Sequence, residues 1–88
     1  MKRYKITVFG RVQGVLFRTT AQQVATQLGL TGLARNEPDG SVYIEVEGAE
    51  AKLQEFLAWC RAGPPLAEVS DVSYKQDAPK GYNHFATS

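Results

Sequence analysis

The sequence predicts an α+β fold of the split βαβ kind, βαββαβ, with a mixed or antiparallel sheet of four to five strands and two helices on one face. Three observations predict it. Residues 4–9 alternate apolar and polar positions and are rich in β-branched and aromatic side chains, as in a half-buried strand. Two sets of apolar residues, Phe17, Ala21, Val24, Ala25, Leu28 and then Leu53, Phe56, Leu57, Cys60, recur at helical spacing. Between those sets lies a strand-turn-strand pattern centred on Glu37-Pro38-Asp39-Gly40.

Taken in order, the first strand covers Tyr4-Lys5-Ile6-Thr7-Val8-Phe9. The first helix opens at Phe17 and closes at Gly29, a residue suited to the left-handed position after a helix. A short second strand covers 31–35, with Asn36 at its end. Proline then presets φ and Asp39-Gly40 supplies positive φ, so the chain turns into a hairpin. Val42, Ile44 and Val46 alternate with Tyr43, Glu45 and Glu47, which predicts a third strand with one solvent-facing side. The second helix starts near Ala49 and is stopped by Gly63-Pro64-Pro65. Val69, Val72 and Tyr74 mark a fourth strand, bulged because Val69 is out of parity. The polar segment 75–83 follows, and His84-Phe85-Ala86 predicts a short edge strand. The order is that of a ferredoxin-like fold, a skeleton shared by many functions, so function must be argued from a site.

Eighty-eight residues make one domain, 1–88, with no room for a second. Ten basic and nine acidic residues leave a net charge of +1, so no global field draws nucleic acid or an anionic membrane. The single cysteine, Cys60, excludes an internal disulfide and a CxxC zinc site. The basic start lacks the apolar run of a signal peptide, and no segment approaches the ~20 apolar residues of a membrane span. A cytoplasmic monomer is expected.

The chemistry-bearing stretch is Gly10-Arg11-Val12-Gln13-Gly14-Val15-Leu16-Phe17-Arg18. Glycines allow a tight strand-to-helix turn. The N–H groups of Val12, Gln13, Gly14, Val15, Leu16 and Phe17 then gather at the positive end of a helix, where several lack intrahelical partners. Arg18, in the first turn, can fold over the loop as a bidentate anion clamp. The bland alternative is a tight turn beside a solvated arginine. No Gly-Lys-Ser/Thr follows, so the loop is not a nucleotide-triphosphate P-loop. Asn36 reads either as the first residue of the turn or as an amide that orients a water; sequence leaves its distance from the loop open.

The remaining candidates read as structural. His84 is a strand or surface residue, Cys60 is core, Trp59 is partly buried packing, Glu37 and Asp39 belong to the turn, and Arg11 and Arg35 are solvated. No Ser-His-acid or Cys-His set and no metal-ligand cluster is visible, so neither metal nor cofactor is expected. An anion cradle with one amide and no base near neutrality suits an easy bond. Acyl phosphates fit, because the leaving carboxylate is a weak base that needs no protonation.

These residues resemble the acylphosphatase family. The loop is similar to its GxVQGVxFR signature, and residues 28–42 are similar to its LGLxGWVxNxxDGxV block. The segment after the second helix, Gly63-Pro64-Pro65 with Ala67 and Val69, is also similar. The resemblance implies a small hydrolase of the carboxyl-phosphate bond, free of metal and cofactor. It implies that Arg18 and the loop amides hold phosphate and that Asn36 positions water. Inorganic phosphate is then both product and competitive inhibitor. Leu33-Ala34 departs from the family's frequent aromatic-Val pair, which predicts less packing volume under the second strand, and the Phe85-Ala86-Thr87-Ser88 tail predicts a short or frayed last strand.

Two rival readings share the skeleton. One is the acylphosphatase-like domain of hydrogenase-maturation carbamoyltransferases, which carry zinc-finger segments downstream that are missing here. The other is an RNA-binding module, which needs exposed aromatics with basic neighbours; here Tyr43 is flanked by acidic residues. A catalytically inactive anion-binding regulator is compatible with the residues alone.

Overall fold

The structure, a computed structural model, describes residues 1–88. Its elements are β1 (Lys2–Arg11), α1 (Phe17–Gln27), β2 (Thr31–Asn36), β3 (Val42–Gly48), α2 (Glu50–Ala62), β4 (Glu68–Asp77) and β5 (Phe85–Thr87). The strands form one five-stranded sheet in the order β4-β1-β3-β2-β5. Every pairing is antiparallel except β2 with β5. The expected α+β, ferredoxin-like architecture is therefore present, with a mixed sheet.

Alternation builds the core. Tyr4, Ile6 and Val8 of β1 and Val42, Ile44 and Val46 of β3 point to one face, where they join Ala21 and Ala25 of α1 and Leu53, Phe56, Leu57 and Cys60 of α2 in a single buried cluster. Burial on this scale is the main favourable term holding so small a fold. An aromatic line continues it: Phe17 lies 5.2 Å from Trp59, Trp59 5.9 Å from Phe56, and Phe56 6.3 Å from Phe85. Trp59 is thus partly buried packing, and it supports the residue that opens α1. No helix is long and apolar enough to cross a membrane.

The expected bulge lies at Ser70. Phe9 pairs with Asp71 while Gly10 pairs with Val69, leaving Ser70 extra. This revises the part given to Gly10. It sits inside β1, and a Cβ there would stand 2.2 Å from Glu68 O and 2.7 Å from Ser70 N. Gly10 admits the bulged strand, and Gly14, at φ 72, makes the turn.

Two further expectations are corrected. The outer side of β3 is covered: Glu45 and Glu47 are only 8% and 2% exposed. The cause is topological. β4 and β5 occupy opposite edges of the sheet, so the segment joining them must cross its outer face. Residues 78–82 do so. Glu47 accepts the main-chain N–H groups of Lys80, Gly81 and Tyr82, at 2.7–2.8 Å. Glu45 accepts hydrogen bonds from Arg3, Tyr43 and Tyr82. The last strand is short but not loose, because Phe85 is buried and Gly32 N donates to His84 O at 2.9 Å. Of the Leu33-Ala34 pair only Ala34 lies in the core; Leu33 is on the opposite face of β2 and is half-buried.

Candidate active site

β1 ends at Arg11 and α1 begins at Phe17, so residues 12–16 make the connecting loop. Its residues divide by side chain. Val12, Val15 and Phe17 are buried and anchor the loop to the core. Gly14 and Leu16 are exposed, both with positive φ. Leu16 occupies the N-cap of α1 at φ 64 and supplies no capping side chain, and the first turn of α1 holds no acidic residue. Helix starts usually satisfy their free amides with a Ser, Thr, Asp or Asn cap. Here nothing within the chain does so: no main-chain N–H of residues 12–19 donates to an internal acceptor. Those groups carry the positive end of the helix dipole and remain free for an anion.

A cleft of about 170 Å³ opens at this point. Val12, Gly14 and Phe17 line it, with Leu16, Arg18 and Thr19 from the start of α1 and Asn36 from the end of β2. Arg18 and Asn36 are thus brought into one cleft. The reason is strand direction. β1 and β2 each run antiparallel to β3, hence parallel to one another, and Val42 of β3 pairs with both Val8 and Asn36. Asn36 is two strands away from β1 but at the same end of the sheet as the loop.

The structure adds contacts that sequence did not show. Gln13 Nε2 donates to Glu37 O at 2.8 Å and to Ser41 O at 2.9 Å, tying the loop to the hairpin turn beside Asn36. The turn is itself closed by Asp39, whose Oδ1 accepts Ser41 N at 2.9 Å and Ser41 Oγ at 2.6 Å. Arg18 donates from one guanidinium nitrogen to the main-chain oxygen of Ser88, which is itself fixed by Ser88 N donating to Ala34 O at 3.1 Å. A guanidinium has five N–H donors, so this contact orients Arg18 and leaves donors for an anion. Gln13 and Val15 do not line the cleft, and their side chains serve the hairpin tie and the core.

The residues set aside as structural are so placed. Cys60 is buried, which pushes its thiol pKa up and leaves it un-ionised. Arg11 is exposed, 3.6 Å from Glu68. Arg35 is more engaged than expected: its guanidinium stands 4.7 Å from the centre of the Tyr43 ring and 2.8 Å from Glu37 Oε1. His84 is exposed and lies outside the cleft. Thr19 lines the cleft and was not singled out from sequence, although its place one residue after Arg18 in the first turn was a usable signal.

Comparison with known proteins places the chain in a family. The acylphosphatase family profile matches residues 4–87. An acylphosphatase of Methylococcus capsulatus is 47% identical over 87 residues, spanning 98% of this chain and 95% of its own. The crystal structure of acylphosphatase from Bacillus subtilis superposes with a TM-score of 0.97 at 38% identity, covering 100% of this chain and 99% of that one. An acylphosphatase structure from Coxiella burnetii gives a TM-score of 0.95 at 32% identity, covering 99% and 92%. This chain belongs to the acylphosphatase family.

Proposed function

We propose that this hydrolase cleaves the carboxyl-phosphate bond of acyl phosphates through Arg18, Asn36 and the amides of the loop, acting as one domain over residues 1–88. The N–H groups of Val12, Gln13, Gly14, Val15, Leu16 and Phe17, with Arg18, hold the phosphoryl oxygens. Asn36 presents the attacking water from the other side of the cleft. Charge spread over those oxygens in the transition state meets preorganised donors, the usual source of the largest catalytic contribution. The carboxylate leaves without a proton, so the reaction needs neither an acid nor a metal in this cleft. The observation that supports the reading most is the run of unpartnered amides at an uncapped helix start, in a loop whose Val12, Gly14 and Leu16 line one cleft with Arg18 and Asn36.

Inorganic phosphate, the product, fits the same cradle and acts as a competitive inhibitor. The working state is a cytoplasmic monomer. Benzoyl phosphate hydrolysis with EDTA present tests the reading. Undiminished turnover, phosphate inhibition competitive with substrate, and a loss of about 10²–10³ in kcat for Arg18→Ala are expected. Turnover abolished by EDTA, or near-normal turnover in folded Arg18→Ala, contradicts it.

A further inference from the structure

We propose that Leu16 is a specificity-determining residue: its side chain forms the apolar rim of the cleft that receives the organic part of the acyl group, favouring acyl phosphates with bulky apolar chains over small ones. This inference rests on the assignment of the cleft as the acyl phosphate site.

Leu16 is the only non-glycine residue of the chain with positive φ. It is also 67% exposed, one of four large apolar side chains left to solvent. Neither property serves the fold. The left-handed conformation strains a side chain that glycine would not have. An exposed leucine gains little from burial. The local contacts at this position are made by its main chain, since Thr20 N and Thr20 Oγ1 both donate to Leu16 O, at 3.1 and 2.8 Å. Glycine would provide that oxygen equally well. What the side chain adds is an apolar surface beside the amides, in a cleft whose other contributors include Arg18, Thr19 and Asn36.

The substrate's geometry gives that surface a use. With the phosphoryl group held by loop amides and Arg18, the acyl chain must extend outward past the rim. A phenyl ring or long alkyl chain there covers Leu16 and removes apolar area from water, whereas a methyl group reaches little of it. Two hydrogen bonds to its carbonyl hold the Leu16 main chain, so the side chain starts from a fixed point on the rim.

The test compares kcat/KM for benzoyl phosphate and acetyl phosphate in the natural chain, Leu16→Gly and Leu16→Ala, neither of which brings a capping side chain to the loop amides, with the inhibition constant of inorganic phosphate measured alongside. The benzoyl-to-acetyl ratio is expected to fall about tenfold in both variants, mainly through KM for benzoyl phosphate, while phosphate inhibition holds. Leu66→Ser provides the control. Leu66 is equally exposed at 67% but lies in the segment between α2 and β4 and does not line the cleft. A preserved ratio in folded Leu16 variants that phosphate still inhibits overturns the role of Leu16 and leaves the cradle standing. Failure of phosphate to compete in the natural chain overturns the cradle, and this inference with it.

Discussion

The side-chain amide of Gln13 donates to the carbonyl oxygen of Glu37 at 2.8 Å, joining the loop before α1 to the hairpin turn across 24 residues of sequence. A second bond from the same nitrogen reaches Ser41 O at 2.9 Å. One side chain thus adds, to the sheet register that brings Asn36 to this end, a direct tie between the loop and the turn that follows Asn36. Positioning of this kind matters because a displacement of ~1 Å can lower turnover about 10²-fold.

Gln13→Ala should accordingly lower kcat by roughly 10- to 100-fold while leaving phosphate inhibition nearly intact, since the loop amides remain. Glu37 O and Ser41 O keep their main-chain donors, Gly40 N and Glu37 N, so the lost tie costs only about 0.5–1.5 kcal/mol of stability. Gln13→Glu keeps the size but not the donor, and should behave like Gln13→Ala. Steady-state kinetics with denaturant unfolding checks both. Loss of phosphate binding equal to the loss of kcat would move Gln13 from positioning to anion binding.

Asn36→Ala separates water positioning from phosphate binding. The side chain is exposed at the end of β2 and lies in the cleft, so its removal should leave the fold intact. A fall in kcat on the order of 10²-fold is expected with the phosphate inhibition constant largely retained. Parallel losses in both would show that Asn36 binds the anion instead.

The outer face of the sheet sets the pH range of stability. Burial alone would raise the Glu45 pKa, but hydrogen bonds from Tyr82, Tyr43 and Arg3 outweigh it and hold it at about 2, against an ordinary 4.5. The carboxylate is thus favoured in the folded chain. Its contribution, roughly 3 kcal/mol by linkage, is complete above about pH 4.5 and is lost as pH falls toward 2. Burial and the same carboxylate push Tyr43 and Tyr82 up to about 12, so at the alkaline end stability is lost as pH rises from 10 toward 12. Urea unfolding across pH should show both limbs, and Glu45→Gln should flatten the acid one. An acid limb of unchanged steepness in that variant would place its origin elsewhere.

Local periodicity made much of this molecule readable. Ile6 and Val8 alternate with Lys5 and Thr7, Leu53 and Leu57 share a helix face, and Pro38 and Gly40 mark the hairpin turn, each through short-range rules. The loop and the helix start that follows it were legible for the same reason, because Gly14, Leu16 and Arg18 are neighbours in sequence. Long-range features were not. The burial of Glu45 and Glu47 depends on a crossing segment more than 30 residues downstream, as the bond from Lys80 N to Glu47 demonstrates. The contact of Arg18 with Ser88 depends on β5 lying parallel to β2, a register that three residues of strand do not announce. Asn36 was recognisable as a residue type, but only the parallel course of β1 and β2 brings it to the loop.

The central claim is that the loop amides and Arg18 together hold a phosphoryl group, and titration of ¹⁵N-labelled protein with inorganic phosphate tests it most directly. The account predicts saturable shifts concentrated in the amide signals of residues 12–18, with an affinity equal to the phosphate inhibition constant and much weakened in Arg18→Ala. Unmoved loop amides at saturation, with shifts confined to the outer face of the sheet, would contradict it.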